Sequence, residues 1–191
     1  LSWGQELFKR IYDFVFSFIA LILLLPVLLV VAIIVKLEDP KGGIFYKQQR
    51  LGKNNKEFTI YKFRSMVEGA ESLTGPVLAG ENDPRITRIG HFLRRTRIDE
   101  LPQFFNVLKG DMSIVGPRPE RQFFIEQFEK SLQSYCYRNT VKPGITGYAQ
   151  IKGKYTTSVE DKLRFDLFYI RNYSFVFDLI IQFRTVIVLL D

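Results

Sequence analysis

Residues 14–35 read FVFSFIALILLLPVLLVVAIIV, an apolar run without a single charge. As a helix at 1.5 Å per residue it reaches roughly 33 Å, enough to cross a bilayer core. It is too long and too poorly flanked for a secretory signal peptide. One reading is a single spanning helix. The other starts from Pro26, near the centre of the run, where the missing N–H and the clash with the preceding turn favour a kink or break. Each arm would then reach about 18 Å, halfway through the core. Lys9 and Arg10 precede the run, and Lys36 and Lys41 follow it. A membrane-dipping hairpin keeps both basic clusters on the cytoplasmic side, whereas a spanning helix carries one outside.

Working outward, the 191 residues fit one domain plus an attachment element, here residues 1–36 as anchor and 37–191 as the main domain. The net charge of +7 suits an anionic partner such as a nucleotide, a phospholipid or a nucleic acid. The single cysteine, Cys136, excludes an intrachain disulfide framework and a Cys-based zinc site, which places the main domain in the cytosol. The chain begins at Leu1 rather than Met, which leaves room for an upstream domain.

After a polar link, IFYKQQR (44–50) and EFTIYKFR (57–64) flank GKNNK and read as a β-hairpin. Lys62 and Arg64 are two apart, so an extended chain turns both to one face; a solvated strand edge is the plainer alternative. Residues 65–86, rich in Gly and Pro, read as a loop over a site. Thr87 is placed to cap a helix with Ile89, Phe92, Leu93 and Thr96 on one face. His91, the only histidine, reads as a surface or packing residue. Residues 120–138 read as an amphipathic helix carrying Phe124, Phe128, Leu132 and Tyr135. KPGITGYAQIKGK (142–154) lacks the spacing of a P-loop or a dinucleotide fingerprint. Residues 163–190 are apolar enough to lie partly at a bilayer surface, with ordinary core packing as the competitor.

The chemistry concentrates in residues 88–120, RIGHFLRRTRIDELPQFFNVLKGDMSIVGPRPE. Adjacent carboxylates, Asp99 and Glu100, follow Arg88, Arg94, Arg95 and Arg97 and precede Arg118. Acids within a basic field suit metal-assisted chemistry on phosphate, where carboxylates hold or attack and guanidinium groups neutralise phosphoryl oxygens. The spacing predicts a helix capped by Asp99, with Pro102 in its first turn, a buried stripe of Leu101, Phe104, Phe105 and Leu108, and a stop at Gly110. A capping role alone for the acids is the bland reading.

Together with KRIYDFVFSFIALILLLP, FYKQQRLGKNNKEFTIYKFRSM, VKPGITGYAQIKGK and FDLFYIRNYSFVFDL, this block resembles the monotopic phosphoglycosyl transferases, the bacterial sugar transferase family. The resemblance covers nearly the whole chain. It implies transfer of a sugar-1-phosphate from a UDP-sugar to polyprenyl phosphate, the first membrane step of bacterial glycoconjugate assembly. Asp99 matches the family nucleophile, which forms an aspartyl phosphosugar and releases UMP. Glu100 matches the second acid of the dyad, and the pair would hold Mg²⁺. Arg94, Arg118, Lys62 and Arg64 match substrate-phosphate positions, and Arg88 lies in the same field. The implied fold is α/β, mainly helical: a monotopic domain with a re-entrant helix broken at Pro26, a short β-hairpin and amphipathic interfacial helices. The implied setting is the cytoplasmic face of the bacterial inner membrane, with the bilayer itself as a partner and homo-oligomers left open. Two alternatives remain: a membrane-bound phosphatase using an aspartyl phosphate, and a non-catalytic module for anionic lipid. Nucleic acid is not an expected partner, because no recognised motif for it is present and it leaves the apolar run without a purpose.

Overall fold

The computed structural model describes all residues except 1, 71, 73, 74, 76–79, 81, 82, 154–156 and 191, together with their side chains except that of residue 190. Its first element, α1 (Trp3–Glu38), is a 36-residue helix begun by a capping box in which Ser2 and Gln5 satisfy each other's backbone N–H. Helical backbone continues through Pro26, so a full interruption of the helix there is corrected, whereas the kink that proline favours is compatible with this helix. In an apolar run, freed peptide groups have no water to turn to, and keeping the remaining helix bonds is the cheaper outcome.

One stripe of α1 is buried on both sides of the proline: Lys9, Asp13, Ser17 and Leu21 before it, Leu28, Val31 and Val35 after it. Both ends are tied to the same body. Near the N-terminus, Arg10 donates to the carbonyls of Val107 (2.5 Å) and Leu108 (2.7 Å), and Lys9 pairs with Asp178. At the C-terminus, Arg64 donates to the Val35 carbonyl at 3.4 Å, and Glu38 accepts from the Ile89 N–H at 3.0 Å.

The hairpin is present. Strands β1 (Phe45–Leu51) and β2 (Glu57–Phe63) pair antiparallel, from Phe45 opposite Phe63 to Leu51 opposite Glu57. Their connection is a 3₁₀ turn, Lys53–Asn55, with Asn54 and Asn55 at φ 56° and 59°. Asparagine tolerates that left-handed backbone better than most residues.

Thr87 caps α2 (Arg88–Arg95) by accepting from the Gly90 N–H at 2.9 Å. Leu93 packs with Leu28, Val31 and Val35 of α1, but Phe92 is 50% exposed and leaves the expected buried face. The helix predicted from Asp99 is also corrected. Ile98–Glu100 form a 3₁₀ turn, and α3 (Gln103–Lys109) begins later, with Pro102 in the capping place and Gly110 at φ 93° ending it. Its buried residues are Gln103, Asn106 and Val107, whereas Phe105 is 48% exposed. Leu101, Phe104 and Leu108 do pack against the core as expected, and Asn106 adds a second contact: it accepts from the Tyr61 N–H (3.1 Å) and donates to the Thr59 carbonyl (2.7 Å), fastening α3 to β2.

A second, parallel pair joins β3 (Ser113–Val115) to β4 (Gly144–Thr146). The ladder runs on through Gly116, whose N–H donates to Thr146 at 2.9 Å, and Gly144, whose N–H donates to the Pro117 carbonyl at 2.9 Å. A Cβ on Gly116 would collide with the Lys142 carbonyl, and one on Gly144 with the Gly116 nitrogen. Between the strands, α4 (Gln122–Glu129) and a 3₁₀ segment, Tyr135–Thr140, replace the single helix expected over 120–138. Three helices close the chain: α5 (Tyr148–Lys152), α6 (Val159–Arg171) and α7 (Phe175–Leu190). In α7, Asp178 and Ile181 are buried while Val176, Phe183 and Val186 face outward.

Candidate active site

The acidic pair sits where α2 gives way to α3. Arg97, at φ 57° and ψ 14°, turns the chain sharply after α2, and its carbonyl accepts from the Glu100 N–H at 3.1 Å. A left-handed arginine is uncommon, and strain of this kind concentrates at working sites. The turn buries both carboxylates to 7% exposure.

Their surroundings differ sharply. Lys62, on β2, donates to Glu100 Oε1 at 2.7 Å. Arg118, just beyond β3, forks onto Glu100 at 2.7 Å to Oε1 and 3.4 Å to Oε2. Burial works to raise the Glu100 pKa, but Arg118 and then Lys62 outweigh it and hold the carboxyl well below the usual range. The Arg118 guanidinium is correspondingly raised, chiefly by Glu100. Asp99 Oδ1, in contrast, is buried with no hydrogen-bond partner. Its pKa is pushed up to about 6, first by burial and then by the Glu100 charge, against the pull of Lys62, Arg94 and Arg97. Among the described residues neither Arg94 nor Arg97 makes an ion pair, so both guanidinium groups are available to a ligand.

The fold thus gathers Asp99, Glu100, Lys62 and Arg118, with Arg94 near enough to act on Asp99 electrostatically. Arg64 goes elsewhere. Strand β2 ends at Phe63, so the shared face expected for Lys62 and Arg64 does not extend to it. Its guanidinium instead pairs with Asp39 at 3.0 Å and caps the C-terminus of α1. Arg88 is exposed at the start of α2 and makes no ion pair with either carboxylate. Pro26 lies within α1. Of the loop expected over the site, residues 71, 73, 74, 76–79, 81 and 82 lie outside the described residues.

Sequence reasoning missed two supports. Arg138 donates to the Arg118 carbonyl at 2.9 Å while pairing with Asp166 at 2.7 Å, which buttresses the loop that presents Arg118. Gln103, one turn beyond Asp99 and 2% exposed, has an amide Nε2 without a partner. The signal for Gln103 was its place four residues after an acid. Arg138 and Asp166 are brought together only by the tertiary fold.

As a metal site, the pair is sparse. No group of three or more His, Cys, Asp or Glu side chains stands ready to hold an ion among the described residues. Glu100 already accepts from two cations, whereas Asp99 Oδ1 is free. A divalent ion fits only by sharing Asp99 with oxygens brought by a substrate, a coordination style that Mg²⁺ uses with phosphates.

Comparison with known proteins identifies the family. The sequence pattern of the bacterial sugar transferase family matches residues 4–191. The chain is 46% identical over 181 residues to the UDP-N-acetylgalactosamine-undecaprenyl-phosphate N-acetylgalactosaminephosphotransferase of Aeromonas hydrophila, covering 93% of this chain and 42% of that one. It is 46% identical over 193 residues to the UDP-glucose:undecaprenyl-phosphate glucose-1-phosphate transferase of Escherichia coli K12, covering 97% of this chain and 41% of that one. It is 42% identical over 187 residues to the exopolysaccharide production protein PSS of Rhizobium leguminosarum bv. phaseoli, covering 94% and 93%. The chain therefore spans about two-fifths of the length of the first two relatives.

Proposed function

The chain belongs to the bacterial sugar transferase family, and from that premise we propose that it moves a sugar-1-phosphate from a UDP-sugar to a polyprenyl phosphate through a phosphorylated Asp99. The observation that carries this reading is the asymmetry of the pair: Glu100 is held by Lys62 and Arg118, while Asp99 Oδ1 is buried and unpartnered.

In the proposed first step, Asp99 Oδ1 attacks the β-phosphorus of the donor. The bond to the bridging oxygen breaks, UMP leaves with that oxygen, and an aspartyl phosphosugar remains. In the second step an oxygen of the polyprenyl phosphate attacks the same phosphorus, the acyl–phosphate bond breaks, and Asp99 is restored. A carboxylate approaching a diphosphate meets strong repulsion, which Arg94, Arg97 and Arg118 are placed to offset. Mg²⁺, held by Asp99 and substrate oxygens, would add charge neutralisation at the phosphate. Glu100, pinned and ionised, positions Lys62 and Arg118 and raises the basicity of its neighbour. At neutral pH an Asp99 that titrates near 6 is mostly ionised, yet more basic than an ordinary aspartate.

The membrane placement follows from α1. Its apolar length is sufficient to cross a bilayer, but Lys9 and Arg10 at one end and Val35 and Glu38 at the other contact the same body. A spanning helix would carry one end away from that body. These contacts support a reading in which both ends stay on the catalytic side, taken here as the cytoplasmic face, with the outward sides of α1 in lipid and α7 lying at the interface. The product would be the first lipid-linked intermediate of a bacterial surface glycan.

The test is to incubate the full chain with polyprenyl phosphate, Mg²⁺ and a panel of UDP-sugars, following UMP and the mass of the peptide containing Asp99. A phosphosugar adduct on Asp99, chased by lipid phosphate into a lipid-linked diphosphosugar, is the expected result. Turnover without an adduct removes the covalent route, and free sugar phosphate as sole product means hydrolysis.

A further inference from the structure

At the N-terminal end of α1 lies a cavity of about 260 Å³ lined by Lys9, Arg10, Lys53 and Lys142 against Glu6 and Asp13, a formal excess of two positive charges. None of Asp99, Glu100, Lys62, Arg94 or Arg118 contributes to its wall, so it is separate from the reaction site. Most of its charges are committed. Lys53 pairs with Glu6 at 2.8 Å, Lys9 pairs with Asp178, and Arg10 spends its guanidinium on the carbonyls that end α3. Lys142 is the exception: it is half-buried, and among the described residues its ammonium makes no hydrogen bond or ion pair. Its pKa is lowered by burial first and then by Arg10, against the partial compensation of Asp13 and Glu6 in the same wall.

We propose that this cavity takes the phosphate of an anionic phospholipid from the surrounding bilayer, with Lys142 as its main cationic contact. Asp13 of the wall immediately precedes the apolar run of α1, so the cavity stands at the level where hydrocarbon gives way to headgroups. Trp3, which lines it, is 80% exposed, and indole is an interfacial anchor. Beside it Leu7, Phe8 and Ile11 are exposed along α1, an apolar track that acyl chains attached to the bound phosphate would follow. A soluble anion would have no use for that track. The inference rests on the reading of α1 as a membrane element and adds a lipid site apart from the one that handles the acceptor.

Trp3 is the only tryptophan, so its fluorescence reports on the cavity. The full chain is reconstituted in phosphatidylcholine vesicles containing equal mole fractions of either brominated phosphatidylglycerol or brominated phosphatidylcholine. The anionic quencher is expected to act as though enriched roughly fivefold around Trp3, the scale of one basic side chain at a membrane surface. Lys142→Gln should bring the two quenchers to parity, and Lys142→Arg should keep the preference, with UMP release unchanged in both. Parity in the unaltered chain overturns the proposal. A preference that survives Lys142→Gln also overturns it, since general attraction to a basic chain then suffices. Loss of the preference on adding excess inorganic phosphate to the unaltered chain overturns the lipid assignment without any variant. Flotation with neutral vesicles is scored separately: failure to float refutes the membrane reading of α1, whereas flotation with parity refutes only the headgroup site.

Discussion

Two buried charge clusters in this molecule use similar parts to opposite ends. One ties α1 to α7: Asp178 accepts from Lys9 on one carboxylate oxygen and from Tyr169 at 2.7 Å on the other, while Asp13 accepts from the Ile114 N–H at 3.2 Å. The other joins β2, the Arg97 turn and the Arg118 loop, and there Asp99 Oδ1 has nothing. Both aspartates are buried, Asp178 to 1% exposure and Asp99 to 7%. Burying a carboxylate is unfavourable unless donors replace water. The α1–α7 cluster supplies those donors and is a fastening. At Asp99 the cost is left standing, which is what a reacting group requires. The difference teaches that a vacant acceptor, more than the density of charge, separates a site from a strut.

Substitutions in each cluster should therefore act in different currencies. The largest effect is expected for Asp99→Asn, which should reduce UMP release at least about 10³-fold, roughly 4 kcal/mol in the barrier. The same change should leave the thermal midpoint unchanged or raise it; turnover within tenfold of the parent would remove Asp99 as nucleophile. Next comes Asp178→Asn, which strands Lys9 and should lower stability by on the order of 3 kcal/mol in denaturant titrations. Activity per folded molecule should be retained, and a selective loss of turnover there would erase the distinction between the clusters. Arg118→Ala should slow UMP release roughly 10–100-fold with the fold intact, about 2 kcal/mol. Kinetics indistinguishable from the parent would deny it a phosphate role.

The pH dependence sharpens the comparison further. Asp99 titrates near 6 when folded and near 3.8 as an ordinary aspartate, so between those values the folded state holds more protons. Its ionised form thus destabilises the fold above pH 6, and that burden disappears as pH falls toward 4. Turnover should move the other way, falling about tenfold per unit below pH 6 as the nucleophile protonates. Glu100, held low, contributes stability present above its unfolded value and lost only in stronger acid. A flat rate profile from pH 5 to pH 7 would contradict the assignment to Asp99. The smallest effect belongs to Arg64→Ala. That guanidinium caps α1, so the change should lower stability by about 1 kcal/mol and leave turnover alone.

Local chemistry was legible in the sequence wherever neighbours in the chain decide it. The hairpin, the Thr87 cap and the stop at Gly110 follow from residues within a few positions of each other. So did the convergence on Glu100 in part, since Lys62 and Arg118 stand out as cations in distinctive settings. Elsewhere distant contacts prevailed. Asn106 fastens α3 to β2, and Phe105 faces outward. The end of β2 at Phe63 hands Arg64 to α1. The parallel pairing of β3 with β4 joins segments about thirty residues apart and has no local signature. Continuity through Pro26 reflects the apolar surroundings of α1, which outweigh the intrinsic preference of proline.

The close approach of Gly116 to Gly144 carries a consequence for the protein's tolerance to change. Arg118 hangs two residues beyond Gly116, on a loop whose position is measured by bare backbone against bare backbone. A single methyl at either glycine would work as a shim, prising the guanidinium off its acid while every charged group kept its identity. Inactivation can therefore reach this centre through a change that adds only a carbon atom.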